Sequence, residues 1–168
     1  MKPLVSIIMG STSDLPIMEK ACKLLDEMQV PFEVYALSAH RTPDAVEEFA
    51  RTAKDRGIKV IIAGAGMAAA LPGVIAASTT LPVIGVPIKG MLDGLDAMLS
   101  IIQMPPGIPV ATVGINGAQN AAILAVEMMA LSDATLAQRL AVYKGGLRAK
   151  IEKANKDLAD VKYEFKTN

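Results

Sequence analysis

The sequence predicts an α/β fold in which a parallel β-sheet lies between layers of helices. Five short runs of apolar, often β-branched residues are bounded by glycine, proline or polar residues, as strands buried in a parallel sheet are. Between the runs, apolar residues recur every three to four positions, which is the period of an amphipathic helix. Strands that alternate with helices form a parallel sheet with helices on both faces.

The first strand and helix follow directly from the residue pattern. Residues 4–9 are almost entirely apolar and end at Gly10, which predicts a strand buried on both faces. Apolar residues then recur at helical spacing over residues 14–28. Pro16 falls in the first turn of this helix, where a missing backbone N–H costs nothing.

The second unit repeats this order, and the third begins in the same way. Residues 32–37 predict a strand and residues 38–43 a loop, and the helix that follows ends at Gly57. Residues 59–63 predict the third strand. Residues 64–73 are mostly glycine and alanine, and we interpret them as a turn that enters a short helix.

Two further strands complete the predicted sheet. Residues 81–86 form the fourth strand. After Gly94 a helix runs through Ile102 and leads to the fifth strand at residues 108–113. The last helix of the core covers residues 116–131.

The chain ends in a helical tail over residues 133–163, which we expect to pack on a neighbouring subunit. Its apolar residues form one stripe: Leu136, Leu140, Tyr143, Leu147 and Ile151. Gly145 and Gly146 each weaken helix propensity by about 1 kcal/mol, and we expect them to kink the helix. No linker or repeat divides the sequence, so we predict a single domain over residues 1–168 with a core at residues 4–131.

Composition limits the possible partners and environment. The 17 basic and 17 acidic residues cancel and form no long block, which argues against nucleic acid and acidic lipid as partners. No run is long enough to span a membrane, so we expect a cytoplasmic protein that binds a small molecule. With 52% hydrophobic and 20% charged residues, the chain has apolar surface that an oligomer would cover. Cys22 cannot form an internal disulfide because it is the only cysteine, and we interpret it as a structural thiol.

Ligands of open parallel sheets bind beyond the carboxyl ends of the strands, so the first three loops are the candidate site. The loop after the first strand contains Gly10, Ser11, Ser13 and Asp14. Its hydroxyl groups and the amides at the start of the helix suit a phosphate or a ribose. A plain helix cap formed by Ser13 or Asp14 is the alternative interpretation.

The loop after the second strand holds the only histidine, His40, directly beside Arg41. Histidine has an ordinary pKa of about 6.5, so this side chain transfers protons in both directions near neutral pH. Arginine binds phosphate or carboxylate through two parallel hydrogen bonds. An acid/base and an anion-binding group therefore lie side by side. A surface histidine ahead of a helix that opens at Thr42 or Pro43 is the alternative.

The loop after the third strand, residues 63–73, lets backbone approach a ligand closely. Its glycine spacing does not fit a dinucleotide fingerprint, because no third glycine follows at Ala69. Tight helix–sheet packing or a subunit contact is the alternative role. The sequence also lacks a Walker loop and a set of metal ligands, so we expect acid/base chemistry without metal or cofactor.

Several strings, in order, resemble one family, the bacterial 5-(carboxyamino)imidazole ribonucleotide mutases, over about residues 5–131. The strings cover residues 10–14, 38–43, 63–66, 71–73, 85–87 and 103–110. Serine-alanine-histidine-arginine-threonine-proline at residues 38–43 is the most specific of them. The resemblance implies a flavodoxin-like three-layer α/β/α sandwich and an octamer with active sites between subunits.

The resemblance also implies a reaction and a set of site residues. Carbon dioxide leaves the exocyclic amine of an imidazole ribonucleotide, stays trapped, and is attacked by ring carbon 4, with His40 as acid and then base. Arg41 and Ser38 would lie at the phosphate end, and Ala65 and Gly66 would hold the carbon dioxide. The implied substrate-binding residues are Ser11, Ser13, Asp14, Ser38, Ala39, Arg41, Ala65, Gly66 and Leu71.

The chain departs from the family in the third loop, where Met67 and Ala70 stand at positions that often hold glycine and histidine. His40 is therefore the only imidazole available. Related carboxylases that act on the unmodified ribonucleotide with carbon dioxide are one alternative. A flavodoxin-like nucleotide-binding module and a purely structural oligomerisation domain are two others.

Overall fold

The computed structural model describes residues 1–168 and contains one five-stranded sheet in which every pairing is parallel. The strands lie in the order β2-β1-β3-β4-β5, which is the flavodoxin-like order and confirms the predicted fold class. Their bounds are β1 Val5–Met9, β2 Phe32–Ala36, β3 Val60–Gly66, β4 Val83–Ile88 and β5 Ala111–Thr112.

Six helices accompany the sheet, and the five that precede the tail cover its two faces. The helices are α1 Leu15–Glu27, α2 Pro43–Arg56, α3 Leu71–Ser78, α4 Leu95–Ile102, α5 Ala118–Ala130 and α6 Ala134–Ala159. One core cluster contains buried residues of α1 and α5, and the other contains those of α2, α3 and α4. Successive residues of β1 contribute to opposite clusters, because side chains alternate along a strand: Ile7 belongs to the first and Ile8 to the second.

The edge strand β2 is fastened to its neighbours by a polar network beneath the functional loops. The buried Ser6 hydroxyl on β1 donates to the Glu33 carboxylate on β2, and Arg56 of α2 pairs with Glu33 at 3.0 Å. The Arg56 guanidinium also lies 4.9 Å from the centre of the Phe49 ring. These contacts fix β2 and α2, the two elements that flank the loop containing His40.

β3 and β5 differ most from the sequence prediction, and β4, at Val83–Ile88, begins and ends later than the expected residues 81–86. β3 continues through Gly66, whereas residues 64–66 were expected in a turn. Gly66 allows this extension because a Cβ there would lie 3.3 Å from the carbonyl oxygen of Ile88 on β4. β5 is only two residues long instead of six. Pro109 lies within the expected strand and has no N–H to donate to the ladder.

The tail helix α6 runs through Gly145 and Gly146, so the two glycines do not interrupt it. Both glycines are exposed, and the helical hydrogen bonds around them outweigh their weak propensity. Leu136 is buried in the core and Tyr143 packs against it, but beyond Lys144 the tail is exposed. The expected stripe therefore has a partner within the chain only in its first half.

Two further expectations concern Cys22 and the membrane. Cys22 is half-buried against the α1–α5 core, and burial raises the pKa of its thiol, as suits a structural cysteine. None of the six helices combines the length and the apolar character that crossing a membrane requires.

Candidate active site

A cavity of about 150 Å³ lies at the carboxyl ends of β1, β2 and β3. Three chain segments line it, one at the carboxyl end of each of these strands. They are residues 10–14 except Thr12, residues 38–41, and residues 65–71. All ten residues that the sequence singled out are among the lining residues. The structure thus brings together three loops that are up to 61 positions apart in sequence, from Gly10 to Leu71.

The first loop presents hydroxyl groups and one carboxylate to the cavity. Ser11 caps a single 3-10 turn, Thr12–Asp14, by accepting a hydrogen bond from the Ser13 amide at 3.3 Å. The alternative interpretation, a helix cap formed by Ser13 or Asp14, is wrong for the side chains: Asp14 is at the N-cap position of α1, but its side chain makes no capping hydrogen bond. The side chains of Ser13 and Asp14 remain available to a ligand at the cavity wall.

The Asp14 carboxyl group is half-buried, and its pKa is raised above the ordinary value of 3.8. Burial is the main cause, because desolvation penalises the charged form. Hydrogen bonds from the Ser13 side chain and the Ser11 backbone favour the charged form and offset this only in part. A ligand hydroxyl that donates to Asp14 would relieve some of this penalty.

The second loop is closed into a rigid turn by Ser38 and Thr42. The Thr42 amide donates to the Ser38 carbonyl oxygen at 2.8 Å, and the Ser38 amide donates to Thr42 Oγ1 at 2.9 Å. Thr42 Oγ1 in turn donates to the Ser38 carbonyl oxygen at 3.1 Å. Ala39 and His40 lie inside this closed turn and line the cavity, with His40 exposed to solvent. The turn places the imidazole at the cavity without burying it.

Arg41 connects the first and second loops. Its Nη2 donates to the Gly10 carbonyl oxygen at 2.8 Å, and its Nε donates to Ser38 Oγ at 3.3 Å. None of the ion pairs in the structure involves Arg41. A guanidinium has five N–H donors, so three remain for an anion. The side chain is therefore held in place while its positive charge is not neutralised.

The third loop forms a wall of small side chains. Ala65 is buried at the end of β3, and Gly66 follows it. Leu71, at the start of α3, is also buried. Sequence reasoning did not assign Gly10 and residues 67–70 to the site, although they line the same cavity. Their position in the same strand-end loops was the signal that could have identified them.

The cavity contains few ionisable groups. Only Asp14, His40 and Arg41 among its lining residues carry a titratable or charged side chain. Nowhere in the chain do three His, Cys, Asp or Glu side chains approach closely enough to hold a metal ion. The site therefore offers a proton-transfer group, an anion-binding cation and small apolar walls.

The strand order and the loop-built cavity define a flavodoxin-like α/β protein with a small-molecule site at the carboxyl edge of its sheet. Residues 4–150 match the family model described as AIR carboxylase, and the chain belongs to that family.

Curated relatives and solved structures agree with this assignment. N5-carboxyaminoimidazole ribonucleotide mutase of Pyrococcus abyssi is 58% identical over 87% of this chain and 84% of its own. The Bacillus subtilis protein of the same name is 59% identical over 83% of this chain and 88% of its own. Phosphoribosylaminoimidazole carboxylase of Saccharomyces cerevisiae is 58% identical, but only 24% of its length is covered. The crystal structure of Treponema denticola PurE has a TM-score of 0.84 at 30% identity and covers 93% of this chain and 98% of its own.

Proposed function

We propose that the protein is an isomerase of purine biosynthesis that converts 5-(carboxyamino)imidazole ribonucleotide to 4-carboxy-5-aminoimidazole ribonucleotide. Curated relatives named N5-carboxyaminoimidazole ribonucleotide mutase, 48–59% identical over most of the chain, support this activity. The observation that carries the proposal is the placement of His40 and Arg41 in one rigid turn beside a small apolar pocket.

In the proposed binding mode, charge and polarity match the parts of the ribonucleotide. The free N–H groups of Arg41, with Ser38 beside it, bind the phosphate. Ser11, Ser13 and Asp14 bind the ribose hydroxyls. The imidazole ring and its carboxylate lie toward the small-residue wall formed by Ala39, Ala65, Gly66 and Leu71.

The proposed chemistry needs only one proton-transfer group. The carbamate C–N bond breaks, carbon dioxide leaves, and the electron pair stays on nitrogen, which takes a proton from His40. Ring carbon 4 then attacks the carbon dioxide and forms the new C–C bond, and His40 takes back the proton that carbon 4 loses. Atoms and charge balance over the two steps. The small-residue wall holds the carbon dioxide next to carbon 4 and keeps water away from it.

We further propose that the protein is a cytoplasmic homo-octamer with sites completed by neighbouring subunits. The cavity, at about 150 Å³, is smaller than the roughly 300–1,000 Å³ typical of ligand pockets, so one subunit encloses only part of a ribonucleotide. Helix α4 also exposes Leu95, Leu99 and Ile102, an apolar face that a neighbour would cover. Light scattering should give a mass eight times the 17.6 kDa subunit; a monomer mass would refute this part of the proposal.

The activity is tested by supplying freshly made carbamate substrate without ATP, biotin or added metal and following the absorbance of the carboxylated product. We expect conversion that exceeds a protein-free control. Conversion of the unmodified ribonucleotide with bicarbonate, and none of the carbamate, would refute the mutase and identify a carboxylase. No conversion of either compound would leave nucleotide binding as the function.

A further inference from the structure

Met67 is the one large apolar side chain that lines the cavity and is also exposed. Its side chain is 63% exposed. The only other large apolar residue in the lining, Leu71, is 3% exposed and belongs to the core. Every remaining apolar lining residue is glycine or alanine. Met67 is therefore the only residue of this subunit that offers the cavity a large, mobile apolar side chain.

The backbone at Met67 has an unusual conformation for a residue with a side chain. Its φ is +53°, in the left-handed region that favours glycine, directly after β3 ends at Gly66. Such a conformation costs free energy and persists only where the surroundings impose it. The chain thus keeps a long side chain at a position where glycine would fit with less strain.

The position of Met67 also links the cavity to the loop after β4. A Cβ built on Gly90 would lie 4.0 Å from Met67 Cγ, so the side chain extends to the backbone of that loop. Methionine is unbranched and flexible, and it adapts its shape to an apolar ligand surface. The side chain therefore lies between the cavity and the loop after β4.

We propose that Met67 is a positioning residue that closes the carbon dioxide pocket during the reaction and limits escape of carbon dioxide to the solvent. This inference rests on the proposed mutase function, in which carbon dioxide is free between two steps. Carbon dioxide is small and carries no charge, so it offers the protein no strong polar contact. Physical enclosure by apolar groups is then the means of keeping it, and Ala65 and Gly66 contribute only one methyl group and backbone to that enclosure.

The test measures how often carbon dioxide exchanges with the solvent per turnover. The enzyme is given unlabelled carbamate substrate in buffer that contains ¹³C-bicarbonate and carbonic anhydrase, and the ¹³C content of the product carboxylate is measured by mass spectrometry. Decarboxylated ribonucleotide is measured in parallel and corrected for the protein-free rate. We expect Met67→Gly to raise both label incorporation and decarboxylated by-product about fivefold or more per product formed.

Three controls separate enclosure from other effects. Met67→Leu keeps the apolar volume and should stay within twofold of the wild type. Leu92→Gly removes an exposed side chain with a φ of +47° outside the cavity lining, and it should not change the exchange. Thermal unfolding should show that Met67→Gly is as stable as the wild type or more so, because glycine relieves the backbone strain.

Unchanged exchange in Met67→Gly, with an active wild type, would overturn the role of Met67 and leave the mutase proposal standing. An equal rise in Met67→Leu would also overturn it, because the retained volume should retain the carbon dioxide. A wild type that does not convert the carbamate would instead refute the proposed function itself.

Discussion

Substitution of Arg41 tests the proposed binding of the substrate phosphate. Arg41 is fixed by the Gly10 carbonyl oxygen at 2.8 Å and by Ser38 Oγ at 3.3 Å, and three of its five N–H donors are free. A hydrogen bond to a charged group contributes about 1.5–3 kcal/mol. Two such bonds to a phosphate would contribute at most about 6 kcal/mol. Because Arg41 is exposed, solvent screening reduces that figure, and we expect about 2.7 kcal/mol.

Arg41→Ala should therefore lower kcat/KM by about 100-fold, since each 1.4 kcal/mol corresponds to a factor of ten. Most of the loss should fall on KM, because the phosphate is remote from the reacting carbon and binds alike before and during the reaction. Arg41→Lys keeps the charge but loses the fork that Gly10 and Ser38 hold, so a loss of about tenfold is expected.

Initial rates of product formation over a range of carbamate concentrations measure these changes. Arg51→Lys is the matched control: Arg51 is an exposed arginine on α2 that pairs with Glu47 and does not line the cavity. It should leave both kinetic constants unchanged. A KM for Arg41→Ala within twofold of the wild-type value would refute the reasoning, because the free N–H groups would then contribute nothing to binding.

Three other substitutions test charge and packing. Asp14→Asn should raise stability to urea at pH 7. The folded state holds the Asp14 proton more tightly than the unfolded state does, because burial raises the pKa of this carboxyl group. The contribution of Asp14 to stability is therefore full below pH 3.8 and is lost as pH rises through the higher folded pKa. The advantage of the variant should shrink as pH falls toward 3.8, and an advantage that grows on acidification would contradict the burial argument. Gly64→Ala should lower the free energy of unfolding in urea by about 1–3 kcal/mol, because the new Cβ would lie 2.5 Å from Met18 Sδ. An unchanged free energy of unfolding would show that the Met18 side chain moves aside freely. Gly145→Ala, in open space on α6, should stabilise by about 0.4–1 kcal/mol, and destabilisation would reveal an unrecognised contact there.

The sheet and its helices were predictable from sequence because buried parallel strands and amphipathic helices leave strong patterns. All five residues of β1 are buried, and the helix of residues 14–28 corresponds to α1 Leu15–Glu27. The strand predictions that were wrong depend on pairing between distant segments. Gly66 belongs to a strand only because it meets Ile88 across the sheet, and no local pattern near residue 66 contains that information.

The residues of the candidate site were also accessible from sequence, but their arrangement was not. The rule that ligands bind beyond the carboxyl ends of parallel strands selected the three loops that line the cavity. The contact of Arg41 with the Gly10 carbonyl oxygen joins residues 31 positions apart. It forms because β1 and β2 are neighbours in the sheet, which no local sequence pattern shows. The left-handed backbone at Met67 was signalled only by the resemblance, in which this position often holds glycine, and not by the methionine itself.

His40 is the residue that we propose transfers the proton in both steps of the isomerisation, and His40→Asn tests this role most directly. Single-turnover rates with the carbamate substrate should fall by about 10²–10⁴, the usual contribution of a general acid/base. Product affinity and the mass of the assembly should remain as in the wild type, because His40 is exposed and makes none of the hydrogen bonds that close its turn. A variant that turns over within tenfold of the wild-type rate would contradict the account, since His40 is the only histidine in the chain.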